Sequence, residues 1–153
     1  MRRVFRRAFL IIGVLGVLAA TTLAVGVGLA ARGLLPGVYN IESLLRKAPE
    51  YKMRGYKFTV LAETSRASVQ LYQVDFLTPH YHPNENHFLY IIRGRGKGHI
   101  GAERIEVGPG DFLVIPAGKS NHHSLEKIGP EPVVILEFST PPFRQYDVVW
   151  GRW

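Results

Sequence analysis

From Tyr56 onward, apolar and polar residues alternate in short runs. Residues 58–62, 68–76, 88–92, 99–100, 103–107, 112–115, 122–125 and 133–138 are rich in β-branched and aromatic side chains, as half-buried strands are. Turn residues separate them: Thr78-Pro79, Gly94-Arg95-Gly96, Gly101, Gly108-Pro109-Gly110, Pro116-Ala117-Gly118 and Gly129-Pro130. About eight short strands at this spacing predict an all-β antiparallel sandwich or barrel over residues 56–140. Upstream, Asn40 stands where a helix N-cap would. Ile41, Leu44, Leu45 and Ala48 then recur at helical spacing until Pro49, which predicts one short amphipathic helix. Residues 33–55 are read as linker plus helix. Residues 141–153 carry Pro141, Pro142, Trp150 and Trp153 and are read as an extended tail, packed back on the domain or on a partner subunit.

The first 32 residues follow a different pattern. Arg2, Arg3, Arg6 and Arg7 precede an uncharged apolar run over 8–31. A helix of that length spans a hydrocarbon core of roughly 30 Å, and with a run apolar on all sides a soluble core helix is the poorer alternative. A retained membrane anchor and a cleavable export signal both fit. Length favours the anchor, because signal cores run to about 7–15 residues. The excess of arginine before the run puts the N-terminus in the cytoplasm and the barrel outside. A cleaved segment would leave a secreted domain.

Charge changes the picture less than it first promises. The formal net charge is +7, but residues 1–32 hold five arginines and no acid, leaving 14 basic and 12 acidic side chains over 33–153. No basic stripe is left to track phosphates, so nucleic acid is not an expected partner. The chain has no cysteine, which removes disulfides, thiolate metal sites and a cysteine nucleophile.

The histidines carry the candidate chemistry. His80, His82 and His87 fall within one short stretch, and His99, His122 and His123 follow downstream. In an extended segment residues i and i+2 share a face, so His80 and His82 converge. His87 returns on the next strand, and a fourth ligand can come from the strand opened by Pro116-Ala117-Gly118. Neutral imidazoles suit Fe(II), Zn(II), Ni(II) or Cu(II) better than Mg(II) or Ca(II).

Pro79-His80-x-His82-x4-His87-x6-Gly94, followed by Gly110-Asp111-x4-Pro116-x-Gly118 and a histidine, resembles the two motifs of the cupin superfamily, in its single-domain form, over about residues 56–140. The resemblance implies a jelly-roll barrel with a divalent metal held by residues of both motifs. It also implies a possible homodimer and either of two functions. One is a metal enzyme on a small organic molecule, foremost an oxygenase. The other is a non-catalytic metal- or ligand-binding module or assembly subunit. Two positions depart from the pattern. His87 stands where glutamate is usual, with Glu85 as a reserve carboxylate, and Asn121 stands where the second motif has histidine. Only one of His122 and His123 can point inward from a regular strand. Leu125 argues for His123, and the motif spacing for His122. The expected metal set is therefore His80, His82, His87 and His122. His99 reads as a strand residue, and Tyr72, Gln73, Tyr90 and Phe138 as strand residues that either line the cavity or pack.

Overall fold

The computed structural model describes residues 37–151. The apolar run 8–31, its flanking arginines and Trp153 lie outside the described residues. Among the described residues, no helix is long and apolar enough to cross a membrane.

The chain runs α1 (Ile41–Leu45), β1 (Tyr51–Met53), β2 (Tyr56–Glu63), β3 (Ser68–Val74), β4 (Phe76–Tyr81), β5 (Asn86–Arg93), β6 (Arg95–Ile100), β7 (Glu103–Val107), β8 (Phe112–Ile115), β9 (His123–Ile128), β10 (Val133–Thr140) and β11 (Val149–Trp150). Two sheets form, in the orders β1-β2-β3-β10-β5-β8 and β11-β4-β9-β6-β7. Neighbouring strands pair antiparallel. This is the all-β antiparallel architecture expected from the strand pattern, arranged like the jelly-roll that the motif resemblance implied. β1 and β11 join the sheets from outside residues 56–140, so the tail folds back on its own domain.

Alternation decides the core. Leu89 and Ile91 of β5, Leu113 and Ile115 of β8, and Val133 and Ile135 of β10 point between the sheets and are buried. On the other face of the first sheet, Leu61, Leu71 and Val134 are covered by Ile41, Leu44 and Leu45 of α1. That helix starts where Asn40 accepts a hydrogen bond from the Ser43 N–H at 3.0 Å, an N-cap.

The same inward parity turns polar toward one end. Ser68 and Gln70 of β3, His87 of β5, and Glu137 and Ser139 of β10 continue the inward rows and are buried. The barrel thus has an apolar end and a polar end.

Candidate metal centre

Thr78-Pro79 is a strand irregularity rather than the turn expected from sequence. Leu77 pairs with Leu125 and His80 with His123, and the register shifts between those two pairs. Strict alternation would set Leu77 and His80 on opposite faces. An extra residue at a bulge restores both to the inside, and Pro79, lacking an N–H, gives up no ladder bond there. His80 and His82 then point into the polar end, both buried.

His123, the first residue of β9, meets them. Its ring centroid lies 4.3 Å from that of His80 and 5.7 Å from that of His82. One ring nitrogen each from His80, His82 and His123 lie within 4.8 Å of one another. His122 is not among them. It ends the turn at Lys119–Asn121, with its Nδ1 3.3 Å from the Lys119 carbonyl and its side chain half-buried. The structure thus groups His123, rather than the expected His122, with His80 and His82. β9 begins one residue later, and Leu125 locks its parity by sitting in the core two positions on.

A second cluster shares His82. Oε2 of Glu85 lies 3.6 Å from Nδ1 of His82 and 3.5 Å from Nε2 of His87. His82, Glu85 and His87 also bring ligand atoms within 4.8 Å of one another. On its far side, His87 Nδ1 donates to Oε1 of Glu137 at 3.0 Å, and the Ser139 hydroxyl donates to the same oxygen at 3.0 Å. His99 is exposed on β6. Tyr72 lines the cavity, whereas Tyr90 and Phe138 face outward.

Electrostatics separate the histidines into two kinds. Burial lowers His80 and holds His123 well below its ordinary value. Burial, with His87, His80 and His123 nearby, pushes His82 down to about 2. These three rings are neutral, the form that binds metals. Carbonyl oxygens only accept, so the Nδ1 of His80, 2.8 Å from Thr78 O, and the Nδ1 of His123, 3.1 Å from Asn121 O, carry the protons. Their Nε2 lone pairs are left for the cavity, the orientation that backbone partners impose on metal-ligating histidines. His87 is different. Burial alone would lower it, but the Glu137 and Glu85 carboxylates outweigh burial and raise it to about 9. Burial raises Glu85 and Tyr72.

The residues fit a divalent transition ion. Nδ1 of His82, Oε2 of Glu85 and Nε2 of His87 are buried with no hydrogen-bond partner, each at a cost of about 1–3 kcal/mol that a cation among them relieves. Those unsatisfied atoms belong to the second cluster, where His87 must first lose its proton to ligate. His80, His82 and His123 share His82 with it and suit the ion better, because no proton need leave them. Glu137 and Asp147 escaped the sequence reading. Glu137 had a signal, a lone acid on the inward parity of Val133 and Ile135. Asp147 had none, since its partners, the N–H groups of Asn84 and Glu85 at 3.1 Å, lie more than sixty residues away in the chain.

Comparison with known proteins agrees with this geometry. Residues 72–139 match the Cupin_2 family model, described as a cupin domain. An uncharacterized protein of Methanocaldococcus jannaschii is 37% identical over 68 residues, covering 44% of this chain and 53% of that protein. The match therefore spans about half the length of that curated relative. Among solved structures, a double-stranded β-helix protein from Klebsiella pneumoniae is similar at a TM-score of 0.60, with 18% identity over 76% of this chain and 97% of that one. KdgF from Halomonas sp. follows at 0.57, with 23% identity over 67% and 92%. Pac13 of Streptomyces, a nucleoside dehydratase, stands at 0.56, with 17% identity over 67% and 83%. At these identities the likeness speaks to the fold. Residues 72–139 are thus similar to a cupin domain, and the solved structures share the fold of this barrel.

Proposed function

We propose that the barrel is a metal-dependent enzyme acting on a small organic molecule, with the ion held by His80, His82 and His123. The observation that carries this reading is the convergence of three neutral, buried imidazoles, two of them oriented by backbone carbonyls. When bound, the ion supplies Lewis acidity, and iron would add redox chemistry. The chain's own contribution is proton handling. Glu137 fixes the tautomer and charge of His87 at Nδ1, and Nε2 of His87 faces the Glu85 carboxylate. An imidazole braced between two carboxylates suits a general acid–base pair. That favours metal-assisted proton transfer, with the small-molecule oxygenase as the second reading, supported by the three-histidine face. Pac13, a nucleoside dehydratase of similar fold, supports an enzyme reading for a barrel of this kind.

The test is metal analysis of the purified chain followed by two assays on a panel of small organic acids and nucleosides. Solvent-deuterium incorporation without oxygen uptake is the expected result. Oxygen uptake coupled to substrate loss selects the oxygenase. Absence of metal above trace after metal-replete preparation sinks the enzyme reading. A bound metal without either activity leaves the non-catalytic binding module. The proposal includes membrane attachment through residues 8–31 with the barrel outside the cytoplasm. It also includes a homodimer, supported by the exposed outer-face side chains Tyr90, Phe112, Val114 and Phe138 and measured by sedimentation.

A further inference from the structure

We infer that Trp150 sets the size of the molecules that reach the metal centre, an inference that rests on the metal reading above. The cavity over the histidines measures about 40 Å³. That is room for an ion and one or two waters. Sites that take small organic molecules measure roughly 300–1,000 Å³. The restriction comes from the tail, because Phe143, Val148 and Trp150 all line the cavity. The Trp150 indole lies 4.9 Å from the His80 ring. Backbone pairing puts it there: Trp150 stands opposite His80 in the β11–β4 ladder, and the Gly151 N–H donates to the Pro79 carbonyl at 3.1 Å.

The tail is firmly held just before this cover and lightly held at it. The Asp147 carboxylate is buried and accepts from the Asn84 and Glu85 N–H groups, both at 3.1 Å. The Arg144 N–H donates to Oε1 of Glu85 at 2.6 Å. Beyond Asp147, β11 is two residues long and lies at the edge of its sheet. Trp150 is itself 45% exposed, so its indole reaches from the chamber to solvent. Its aromatic body forms the outer wall of the chamber without being one of the proposed ligands. The wall also lies outside residues 72–139, so it is a feature of this chain beyond the matched domain.

The full chain loaded with Co(II) tests the assignment through its visible ligand-field bands. Two metal-binding probes are titrated, azide as the small one and benzohydroxamate as the ring-bearing one. Trp150→Ala is expected to bind benzohydroxamate about tenfold more tightly, a gain of ~1.4 kcal/mol, with azide binding unchanged. An equal gain for both probes, or no gain for either, overturns the assignment. Where Trp150→Ala does not fold, Trp150→Phe is expected to shift benzohydroxamate alone by a smaller factor, and a flat profile there overturns it equally. Absence of cobalt bands in the unaltered chain overturns the metal reading and this inference with it. Cobalt bands with a flat size profile overturn this inference alone.

Discussion

His122 and His123 are neighbours with the same side chain and opposite fates. His123 is buried against His80, while His122 turns toward a turn carbonyl outside the cluster. Replacing His123 by alanine is expected to weaken metal binding by roughly 100-fold or more, beyond the ~10–100-fold typical of outer-shell losses. The matching His122→Ala change should leave affinity within about a factor of two, the scale of ordinary context effects. Competition against a chelator of known affinity measures both, and equal losses would return His122 to the ligand set. Sequence could pose this choice but not resolve it. Motif spacing and the parity of Leu125 pointed in opposite directions, and only the starting residue of β9 decides which applies.

Among the strands, β4, β6 and β9 shape the site. The bulge in β4 carries two histidines inward, and β6 presses close on β9 at Gly98. A Cβ at Gly98 would collide with the Ser124 carbonyl oxygen. Because the colliding atom is backbone, the two strands must separate. Gly98→Ala is therefore expected to cost about 1–3 kcal/mol, read as a lower urea midpoint. It should also loosen metal binding, since His123 sits in β9 one residue before Ser124. An unchanged midpoint would show that the sheet absorbs the methyl group freely. The strand runs themselves were legible from alternation. The Thr78-Pro79 bulge was not, because its turn-like residues say nothing about whether the chain continues straight, and the short β1 and β11 become strands only by pairing with β2 and β4.

For the whole molecule, the buried histidines tie stability to pH in two directions. His80, His82 and His123 have lowered values in the folded state against 6.5 unfolded. Below about pH 6.5 the unfolded chain takes up protons that the fold excludes, so stability falls as pH falls. His87 is raised to about 9. Its contribution is complete below 6.5 and is lost as pH rises through about 9. The metal-free protein should thus melt highest near pH 7 and lower at pH 5 and pH 10. Saturating Zn(II) should raise the neutral-pH melting temperature by mass action. Calorimetry across that range checks both limbs, and a profile flat from pH 5 to 10 would contradict the charge assignment. The N-terminal run makes a separate prediction. The full chain should remain in the membrane fraction after alkaline carbonate washing, and a version starting at residue 37 should not. Release of the full chain by that wash would argue for a cleaved or peripheral segment.

The sequence alone determined the elements that depend on short-range pattern. Alternation specified the main strands, Asn40 and the spacing after it specified α1, and the i, i+2 spacing paired His80 with His82. These follow from backbone periodicity, which each segment carries by itself. Tertiary structure decided everything that needs two distant segments to meet. It chose His123 through the register of β9 on β4, and it placed Glu137 behind His87 across the β10–β5 pair. It also brought Asp147 and Trp150 from the tail to the ligand strands. Local pattern specifies which way a side chain points from its own strand, whereas a site is defined by which strands lie opposite, and sheet order alone supplies that.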